Sequence, residues 1–534
     1  MKNTLTLASL LTLVVLCFTS TQGMAQETLK TVSSEEFKSP PNSAKPRVWW
    51  HWMNGNITKA GIKKDLEWME DTGIGGFQNF DANLLTPVVV SNKLVFMTPG
   101  WKEAFKYTTD LAIEKKLEMA IAGSPGWSVT GGPWVEPKDG MKKYVWSELT
   151  VKGGQTYRGR IPEPPQTTGV FQNDMAPRED IGGNTLEALP KYYQDVAVIA
   201  YRIPDSEKTL DGLKPKVSSS GGDFNLTDLT DGDLRTGTYL PPEEVGEDMW
   251  IQYEFETPQT FQSLAVVGAN HNQLEQFRGS PENRSLKISN DGINFSEITR
   301  IHGSLVPQTT VSFPPTTAKY FRFAYETLAG QVTGLAAMMG GATEVPKPDG
   351  VQVAEFILYN TPRIDKIEDK AGFSPWKEGT TSFMPKDSGV IATEDIIDLT
   401  SKMKTDGSLE WKVPNGNWSI IRFGYSLTGR QNHPASPEAT GLEVDKLDPM
   451  AVKRYINTYL DMYKDATNRQ MGDKGLGYMI LDSYEAGHMN WTKNLPEEFQ
   501  KKRGYSIQTW IPALTGRIVK SAEASDKFLW DFRK

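Results

Sequence analysis

The sequence has one cysteine in 534 residues and no long basic run. That cysteine, Cys17, lies in an apolar segment near the amino terminus, without the small residues that precede a lipoprotein acylation site. A mature chain that has lost this segment contains no thiol, which excludes disulfides and cysteine chemistry. The formal net charge is -8 with 23% charged residues, so the basic surface expected of a nucleic-acid-binding protein is missing.

The amino terminus has the layout of a secretory signal peptide. Lys2 supplies the positive charge, residues 5–18 form the apolar run, and Gly23, Met24 and Ala25 supply the cleavage site. A membrane-anchoring helix is the alternative, but the run is shorter than the roughly 20 apolar residues that a bilayer span needs. We therefore predict cleavage after Ala25, no membrane span, and export to the periplasm or cell surface of a Gram-negative bacterium.

Aromatic residues are the informative part of the composition, with 15 Trp and 18 Tyr. Flat aromatic rings stack on the C–H faces of sugar rings while their polar edges stay in water. Ordinary core packing is the alternative, and we favour it for most of these residues. Carbohydrate is therefore a candidate partner.

Residues 47–127 alternate short apolar segments with amphipathic ones, a pattern that predicts parallel β/α units. The predicted elements in order are strand 48–52, helix 58–72, strand 75–81, helix 101–116 and strand 118–127. The first helix carries Ile62, Leu66 and Met69 on one face, with Thr58 as its N-cap and Gly73 as its stop.

From about residue 144 to 429 the pattern changes to Thr-, Val-, Tyr- and Phe-rich segments separated by Gly, Pro, Asn and Asp clusters, which indicates antiparallel β-structure. Within it, residues 208–361 contain in order LTDGDLRTGTYL, WIQYEF, SLKISNDGINFSEI, KYFRFAYE and VAEFILYN. This order resembles discoidin-like, coagulation-factor-type carbohydrate-binding modules, which implies a separate β-sandwich.

The α/β pattern returns at Asp448 and Pro449, an N-cap followed by proline at the first helical position. A helix, an apolar strand at 477–485 and a helical stretch after Pro496 follow. We interpret the strand as the fourth parallel strand, so that the β-rich block is an insertion after strand three. The sequence stops at Lys534 after an amphipathic segment whose apolar side needs a partner surface, and we expect the second half of a barrel beyond it.

These segments predict an α/β plus β protein: a (β/α)8 TIM-type catalytic barrel, of which about the first half is present, interrupted by an inserted β-sandwich region. The predicted divisions are a signal peptide at 1–25, the first barrel part at 26–143, a β-rich insertion at 144–207, the discoidin-like sandwich at 208–361, a β-rich return segment at 362–430 and a barrel continuation at 431–534.

Polar and aromatic side chains collect at the four predicted strand ends, where the active sites of (β/α)8 barrels lie. They are His51, Trp52 and Asn54 at the first end, Gln78, Asn79 and Asp81 at the second, Ser124 and Trp127 at the third, and Asp482, Ser483, Tyr484, Glu485 and His488 at the fourth. For each residue alone, the alternative to a functional role is that it caps a helix or lies in a loop. Together they indicate a site.

Four segments occur in a characteristic order: VWWHWMNGNITKAGIKKDLEWMEDTGIGGFQNFDA from residue 48, AGSPGW from 122, ATGLEVDKLDP from 439 and YMILDSYEAGHMNWT from 478. This set resembles the α-L-rhamnosidases of glycoside hydrolase family 106. The resemblance implies a (β/α)8 catalytic barrel with β-rich accessory domains, inversion of configuration, two catalytic glutamates, and a calcium ion that contacts the sugar in the active site.

Inverting cleavage of a glycosidic bond needs one carboxylic acid that protonates the leaving oxygen and one carboxylate that activates water. Glu485 is the predicted general acid, because it follows an apolar strand where partial burial and the nearby Asp482 are expected to keep it protonated. A surface loop acid is the alternative. By the family pattern, the base is expected on a later strand beyond Lys534.

The predicted sugar-binding residues around the acid are His51, Trp52, Asn79, Trp127, Asp482 and His488. Trp127 follows a glycine in a turn, which suits a stacking platform, and core packing is its alternative. His51 and His488 could instead form a transition-metal pair. Their spacing matches no zinc motif, however, and the calcium implied by the resemblance prefers oxygen ligands.

Asp231, Asp233 and Glu355 match the positions at which discoidin-like modules hold a structural calcium. The TDGD turn offers carboxylate and carbonyl oxygens, the ligands that calcium prefers. A turn held by Asx hydrogen bonds alone is the alternative.

The sequence as a whole predicts an enzyme that hydrolyses terminal α-L-rhamnosyl residues of plant-type polysaccharides such as pectins, or of other rhamnosylated glycans. A non-catalytic, exported glycan-binding protein is one alternative. A glycosidase of different sugar specificity on the same scaffold is another, because fold does not fix function. The expected partner is an oligo- or polysaccharide. The sequence does not indicate an oligomeric state.

Overall fold

The computed structural model describes residues 33–84, 86–175, 189–268, 283–329, 349–376, 380–387 and 389–534. The predicted signal peptide, with Cys17, lies outside the described residues. Within these ranges, no helix is both long enough and apolar enough to cross a membrane.

The strands are β1 (Arg47–Met53), β2 (Gly76–Ala82), β3 (Glu118–Ala122), β4 (Lys142–Lys152), β5 (Thr156–Arg160), β6 (Tyr193–Arg202), β7 (Lys216–Ser219), β8 (Thr238–Leu240), β9 (Asp248–Gly268), β10 (Arg284–Ser289), β11 (Ser296–Ile301), β12 (Gln308–Glu326), β13 (Val351–Tyr359), β14 (Ile396–Asp398), β15 (Ser408–Lys412), β16 (Asn417–Leu427) and β17 (Leu476–Ile480). The α-helices are α1 (Ser34–Lys38), α2 (Lys59–Asp71), α3 (Pro99–Glu114), α4 (Leu210–Leu213), α5 (Ile367–Lys370), α6 (Pro449–Ala466), α7 (Leu495–Arg503), α8 (Ile511–Leu514) and α9 (Ala522–Arg533).

Four strands form a parallel sheet in the order β1-β2-β3-β17. β1 pairs with β2 from Arg47 opposite Gly76 to Met53 opposite Ala82, and β17 pairs with β3. The three predicted β/α steps and the fourth parallel strand are therefore confirmed, as is the mixed α/β plus β class. β1 and β17 are the edges of this open sheet among the described strands, so closure into a (β/α)8 barrel stays a prediction.

Capping residues in the sequence set the boundaries of the long helices. Thr58 begins α2, because its Oγ1 accepts a hydrogen bond from Gly61 N at 3.0 Å. Gly73 follows α2 with a φ of 80°, a conformation that glycine adopts without strain. Asp448 begins α6 by accepting from Met450 N at 2.8 Å. Both predicted helix starts are confirmed.

Two predicted strands are shorter in the structure. β3 ends at Ala122 and β17 ends at Ile480, so Trp127 and Glu485 lie in the loops that follow rather than on the strands. After β3 the chain soon reaches Pro125, which has no N–H to donate to a strand ladder.

The helix-facing side of the parallel sheet is closely packed. The buried or half-buried side chains of this core include Trp50, Trp52, Phe77, Met119 and Ile121 from the sheet and Leu66, Trp101, Phe105 and Tyr459 from the helices. The opposite face is open, since Trp49 is 60%, Tyr478 is 58% and Ile480 is 37% exposed. Trp49 is exposed while Trp50 and Trp52 pack on the helices, because alternate residues of a strand point to opposite faces.

Antiparallel sheets fill the chain between β3 and α6, as predicted. One sheet has the order β14-β6-β16-β4, and a smaller one pairs β5 with β15. The third is sandwich-like, with the order β11-β10-β12-β9-β13-β8 and β7 on β9. Its long strands β9 and β12 shift register midway, and Phe255, Phe261 and Phe321 from these two strands pack in one core.

Helix α9 is covered by this chain itself. Phe528 and Leu529 are no more than 1% exposed and lie in the core that includes residues of β4, β6 and β16. The Phe528 ring stacks on Trp510 with 5.2 Å between ring centroids. The predicted need for a partner surface is thus met within the chain, which the helical pattern alone did not indicate.

A buried ion pair joins the β-rich block to the loops of the parallel sheet. Lys142 Nζ lies 3.1 Å from Asp445 Oδ2, and the two side chains are 2% and 1% exposed. The same carboxylate accepts hydrogen bonds from Thr492 Oγ1 at 2.8 Å and Leu447 N at 3.0 Å. Asp445 N also donates to Asp139 O at 2.7 Å. Segments that are distant in sequence therefore meet at one carboxylate.

We predict that Asp445→Asn lowers the free energy of unfolding, because Lys142 keeps its charge in a buried position without its counterion. Breaking a buried ion pair on one side typically costs about 3–5 kcal/mol. Urea unfolding followed by tryptophan fluorescence measures the loss. The control is Glu410→Gln in the exposed Arg158–Glu410 pair, which should cost less than about 1 kcal/mol. Equally small losses in both variants would contradict the prediction.

Candidate active site

The carboxyl end of the parallel sheet carries an imidazole and an indole that hold each other. Trp127 Nε1 donates a hydrogen bond to His51 Nε2 at 3.0 Å. The His51 ring also stacks on Phe80, its neighbour across the β1–β2 pair, with 4.8 Å between ring centroids. Burial lowers the pKa of His51. Because Nε2 accepts a hydrogen bond, His51 is a neutral imidazole with its proton on Nδ1.

Residues 430–445, which we call the crossing segment, run over the strand ends. His433 O accepts from Trp127 N at 2.9 Å, and Pro434 O accepts from Asn83 N at 3.1 Å. Asn432 is fully buried; its Nδ2 donates to Pro125 O at 2.9 Å. The crossing segment is therefore fixed to the loops that follow β2 and β3.

Glu485 lies in the loop after β17, next to the crossing segment. Ser483 Oγ donates to Glu485 Oε1 at 3.0 Å, and His433 Nε2 lies 3.8 Å from Glu485 Oε2. His433 Nδ1 faces Gln431 O at 3.1 Å. A carbonyl oxygen only accepts, so in neutral His433 the proton sits on Nδ1 and Nε2 turns a lone pair toward the carboxyl group.

The surroundings of Glu485 differ from the prediction in one respect. We expected partial burial from the apolar strand before it, but its side chain is 41% exposed. The strand ends at Ile480, and the apolar core does not reach this loop.

His433 is a site residue that the sequence analysis missed. It sits between the β-rich block and the ATGLEVDKLDP motif, where no strand end was predicted. The signal that was available is compositional, since the whole sequence contains only five histidines.

Glu443 is a second acid near this loop that we had not singled out. It is fully buried, and its Oε2 accepts hydrogen bonds from Thr130 Oγ1 at 2.5 Å and Lys446 Nζ at 2.7 Å. Lys446 Nζ also lies 5.8 Å from the centroid of the Tyr484 ring. Glu443 is therefore part of a buried charge pair beside the Glu485 loop.

Asp482 and His488, the other residues predicted at the end of the fourth strand, make no contact with the His51 and Trp127 rings among the described interactions. Asp482 is exposed and makes no side-chain hydrogen bond within the described ranges. His488 is half-buried and lines a small cavity with Arg430 and Lys143; burial and the Arg430 charge lower its pKa. His51 contacts Trp127 and His488 lines that cavity, so the two imidazoles have different partners.

Trp52 and Asn79 require a correction. Both are 2% exposed and lie on the helix-facing side of the sheet. The Trp52 ring packs edge-on against Trp101 at 5.4 Å. Asn79 lies opposite Trp50 in register. They belong to the core beneath the site rather than to its surface, because neighbouring residues of a strand point to opposite faces.

Asp81 lies on the same side and supports the core. Its Oδ2 accepts a hydrogen bond from Trp101 Nε1 at 2.8 Å, and burial raises its pKa to about 7. Its backbone oxygen accepts from Gly126 N at 2.7 Å. Asp81 thus holds α3 and the loop that presents Trp127.

The three acids predicted to bind calcium in the sandwich lie around one turn. Glu355 accepts a hydrogen bond from Gly232 N, and Asp231 Oδ1 accepts from Asp233 N at 2.7 Å. Burial and the two aspartates raise the pKa of Glu355 to about 7, an electrostatic setting that suits a cation. Arg235, however, takes both oxygens of Asp233.

The described residues contain no group of three or more His, Cys, Asp or Glu side chains arranged to hold a metal ion. The Asx hydrogen bonds between the aspartates agree with the turn alternative. Calcium therefore stays a prediction, in the sandwich and at the strand ends.

The imidazole, indole and carboxyl groups at the ends of this parallel sheet are of the kinds that bind and cleave carbohydrates. The chain belongs to the alpha-L-rhamnosidase family, glycoside hydrolase family 106, whose model matches residues 38–534.

Two similar proteins are longer than this chain. A solved rhamnosidase from Novosphingobium sp. PP1Y is 41% identical with a TM-score of 0.78, over 93% of this chain and 44% of that chain. A "Putative beta-glucuronidase" from Formosa agariphila is 26% identical over 502 residues, which are 93% of this chain and 28% of that protein. The chain thus spans less than half the length of either relative.

We predict that Trp127→Phe raises the pKa of His51, because the indole N–H that stabilises the neutral ring is lost. One hydrogen bond of ordinary strength corresponds to about half to one pKa unit. Titration of 13C-labelled histidine rings by NMR measures it. The control is Trp49→Phe, since Trp49 meets the same imidazole only edge-on at 6.0 Å. A His51 pKa that is unchanged by Trp127→Phe would refute this contact.

Proposed function

We propose that the protein is an exported, inverting α-L-rhamnosidase, that it acts on pectin-like or other rhamnosylated glycans in the periplasm or at the cell surface, and that Glu485 is its general acid. The observation that carries the proposal is the position of Glu485. It follows the fourth parallel strand and faces His433 and Ser483. His433 in turn accepts a hydrogen bond from the backbone of Trp127. The family membership supports this chemistry.

The proposed scaffold is a (β/α)8 barrel interrupted by the sandwich. The open face of the parallel sheet supports it, since exposed Trp49, Tyr478 and Ile480 are apolar side chains of the kind that fill a barrel interior. The outer edges of β1 and β17, which pair with no other strand among the described residues, support it as well, because natural sheets seldom leave such edges uncovered.

The chemistry follows from two carboxyl groups. Protonated Glu485 gives its proton to the glycosidic oxygen as the bond to the anomeric carbon breaks, and a water molecule attacks that carbon from the opposite face. The water's proton passes to a carboxylate about 6.5–9.5 Å from the acid, the separation typical of inversion. That base belongs to a later strand of the barrel. His51 and Trp127 lie where they can contact the sugar.

His433 has a positioning role in this scheme. His433 Nδ1 faces Gln431 O, which directs Nε2 toward Glu485 Oε2 at 3.8 Å, so His433 is the ring next to the acid. Ser483 holds the other oxygen. These two contacts orient an exposed carboxyl group that the core does not fix.

A glycosidase acting on another sugar is the second candidate. The relative that bears a beta-glucuronidase name favours it, because related scaffolds can host different specificities. Rhamnose remains the first choice, since the more similar solved structure is a rhamnosidase.

In the protein with a completed barrel, Glu485→Gln should lower kcat about 10²- to 10⁴-fold for substrates with poor leaving groups, the contribution typical of a positioned general acid. A dinitrophenyl rhamnoside needs little protonation and should lose much less. Steady-state kinetics against pH should also show a flattened high-pH limb. Glu438→Gln, an exposed acid on the crossing segment, is the control. Equal slowing of both substrates with the limb retained would make Glu485 the base or a binding residue.

We also propose calcium at the strand ends and in the sandwich. Chelation should lower activity, and calcium rather than zinc should restore it, because the ligands on offer are hard oxygens. For the sandwich, calcium should raise the midpoint of thermal unfolding of the native chain by more than that of Glu355→Gln, which loses only this one site. Full activity after exhaustive chelation would show that calcium takes no part in the reaction. Equal thermal shifts in both proteins would show that Glu355 does not bind calcium.

A further inference from the structure

A cavity of about 240 Å³ lies between the loop after β3 and helix α6, apart from the strand-end site. Its aromatic and polar lining includes Trp134, Asp139, Arg454, Tyr455, Asn457 and Thr458. Glu485, His51 and Trp127 are not among its lining residues. The cavity therefore needs an explanation separate from the proposed reaction.

One wall of the cavity is aromatic and rigidly held. The partly exposed Trp134 ring lies nearly parallel to the rings of Tyr455 and Tyr459, with 6.2 and 5.7 Å between centroids. Tyr455 OH donates to Gly123 O at 2.6 Å, and Tyr459 OH donates to Ala122 O at 3.1 Å. The wall is thus fixed to the end of β3, and a ligand would meet a preformed flat surface.

The rest of the cavity lining includes polar side chains. Arg454 Nε donates to Asp139 Oδ2 at 2.8 Å, and a second bond joins the same two groups. Asn457 and Thr458 lie three and four residues further along α6, on the same side of the helix. Both are exposed, and neither side chain has a hydrogen-bond partner in the described part of the chain. They are therefore free to bind a ligand.

Each charged side chain that lines the cavity has a partner of opposite sign, although Lys138, the partner of Glu136, lies outside the lining, and this pairing selects the class of ligand. Arg454 pairs with Asp139, and Lys138 pairs with Glu136. An anion would meet two carboxylates, and a cation would meet the guanidinium. A neutral sugar can donate hydroxyl protons to Asp139, accept from Arg454, and place its C–H face on Trp134.

The volume limits the ligand to one sugar ring. The cavity's volume of about 240 Å³ is below the roughly 300–1,000 Å³ of pockets that enclose larger small-molecule ligands. An oligosaccharide would have to extend out of it.

We propose that this cavity is a second carbohydrate-binding site that takes one neutral sugar unit of a glycan. The site would hold the polymer beside the catalytic edge of the sheet. Asp139 of the cavity accepts a backbone hydrogen bond from Asp445, which ends the crossing segment. The proposal does not depend on rhamnosidase activity.

Calorimetric titration of the full chain with methyl α-L-rhamnoside, methyl β-D-galactoside and D-galacturonate tests the site. The variant is Asn457→Ala/Thr458→Ala, which removes two side-chain partners and keeps good helix formers in α6. Losing one or two hydrogen bonds should weaken the binding of a neutral glycoside about 5- to 30-fold. The control is Lys453→Ala, an exposed α6 residue outside the cavity lining, which should bind like the native chain.

Three results would overturn the proposal: no binding of either neutral glycoside, unchanged binding in the double variant, or tighter binding of D-galacturonate than of both neutral glycosides. Binding at the strand-end site is separated by His51→Ala, which should leave the second site intact. If His51→Ala removed all binding and the double variant removed none, the sugar would bind only at the strand ends. We also expect a neutral glycoside to change the tryptophan fluorescence of the native chain, and we expect Trp134→Phe to lose this change.

Discussion

The buried pair between Lys142 and Asp445 is the interaction on which the rest of the arrangement depends. Lys142 begins the first strand of the β-rich block, and Asp445 ends the crossing segment that returns the chain to the parallel sheet. Two charges removed from water stabilise a fold only when their geometry is satisfied. Here Thr492 and Leu447 complete the carboxylate's hydrogen bonds, so a long insertion can leave and re-enter the sheet at a defined place.

This junction also builds the candidate site. The crossing segment runs from Arg430 to Asp445, and with its far end anchored it passes over the ends of β2 and β3. Its backbone holds Trp127, and its His433 faces Glu485. His433, which lies beside the proposed acid, thus comes from a segment about fifty residues earlier in the chain that belongs to no strand. The exposed carboxyl group of Glu485 has one hydrogen bond, from Ser483, and the His433 ring beside it, rather than burial, to orient it.

Strand alternation decides which aromatic and polar groups reach the site. On β1, His51 faces the open side and Trp52 faces the helices, and on β2 the same division separates Phe80 from Asn79. The motif VWWHW contains the residues but not their direction, because a shift of one residue exchanges the two faces. The side that stays open also leaves Trp49 and Tyr478 exposed, which is why the proposed barrel and the proposed site concern the same face.

The sequence by itself determined the local features and their order. Thr58 and Asp448 mark helix starts through their own capping bonds, the apolar periods separate helices from strands, and four motifs in order identify the family. The tertiary structure alone decided that Trp52 and Asn79 are core residues, that the apolar side of α9 packs on the β-rich sheet, and that His433 meets Glu485. Capping and periodicity act between neighbours along the chain, whereas the contact of Lys142 with Asp445 joins residues about three hundred positions apart, and no local pattern records such a distance.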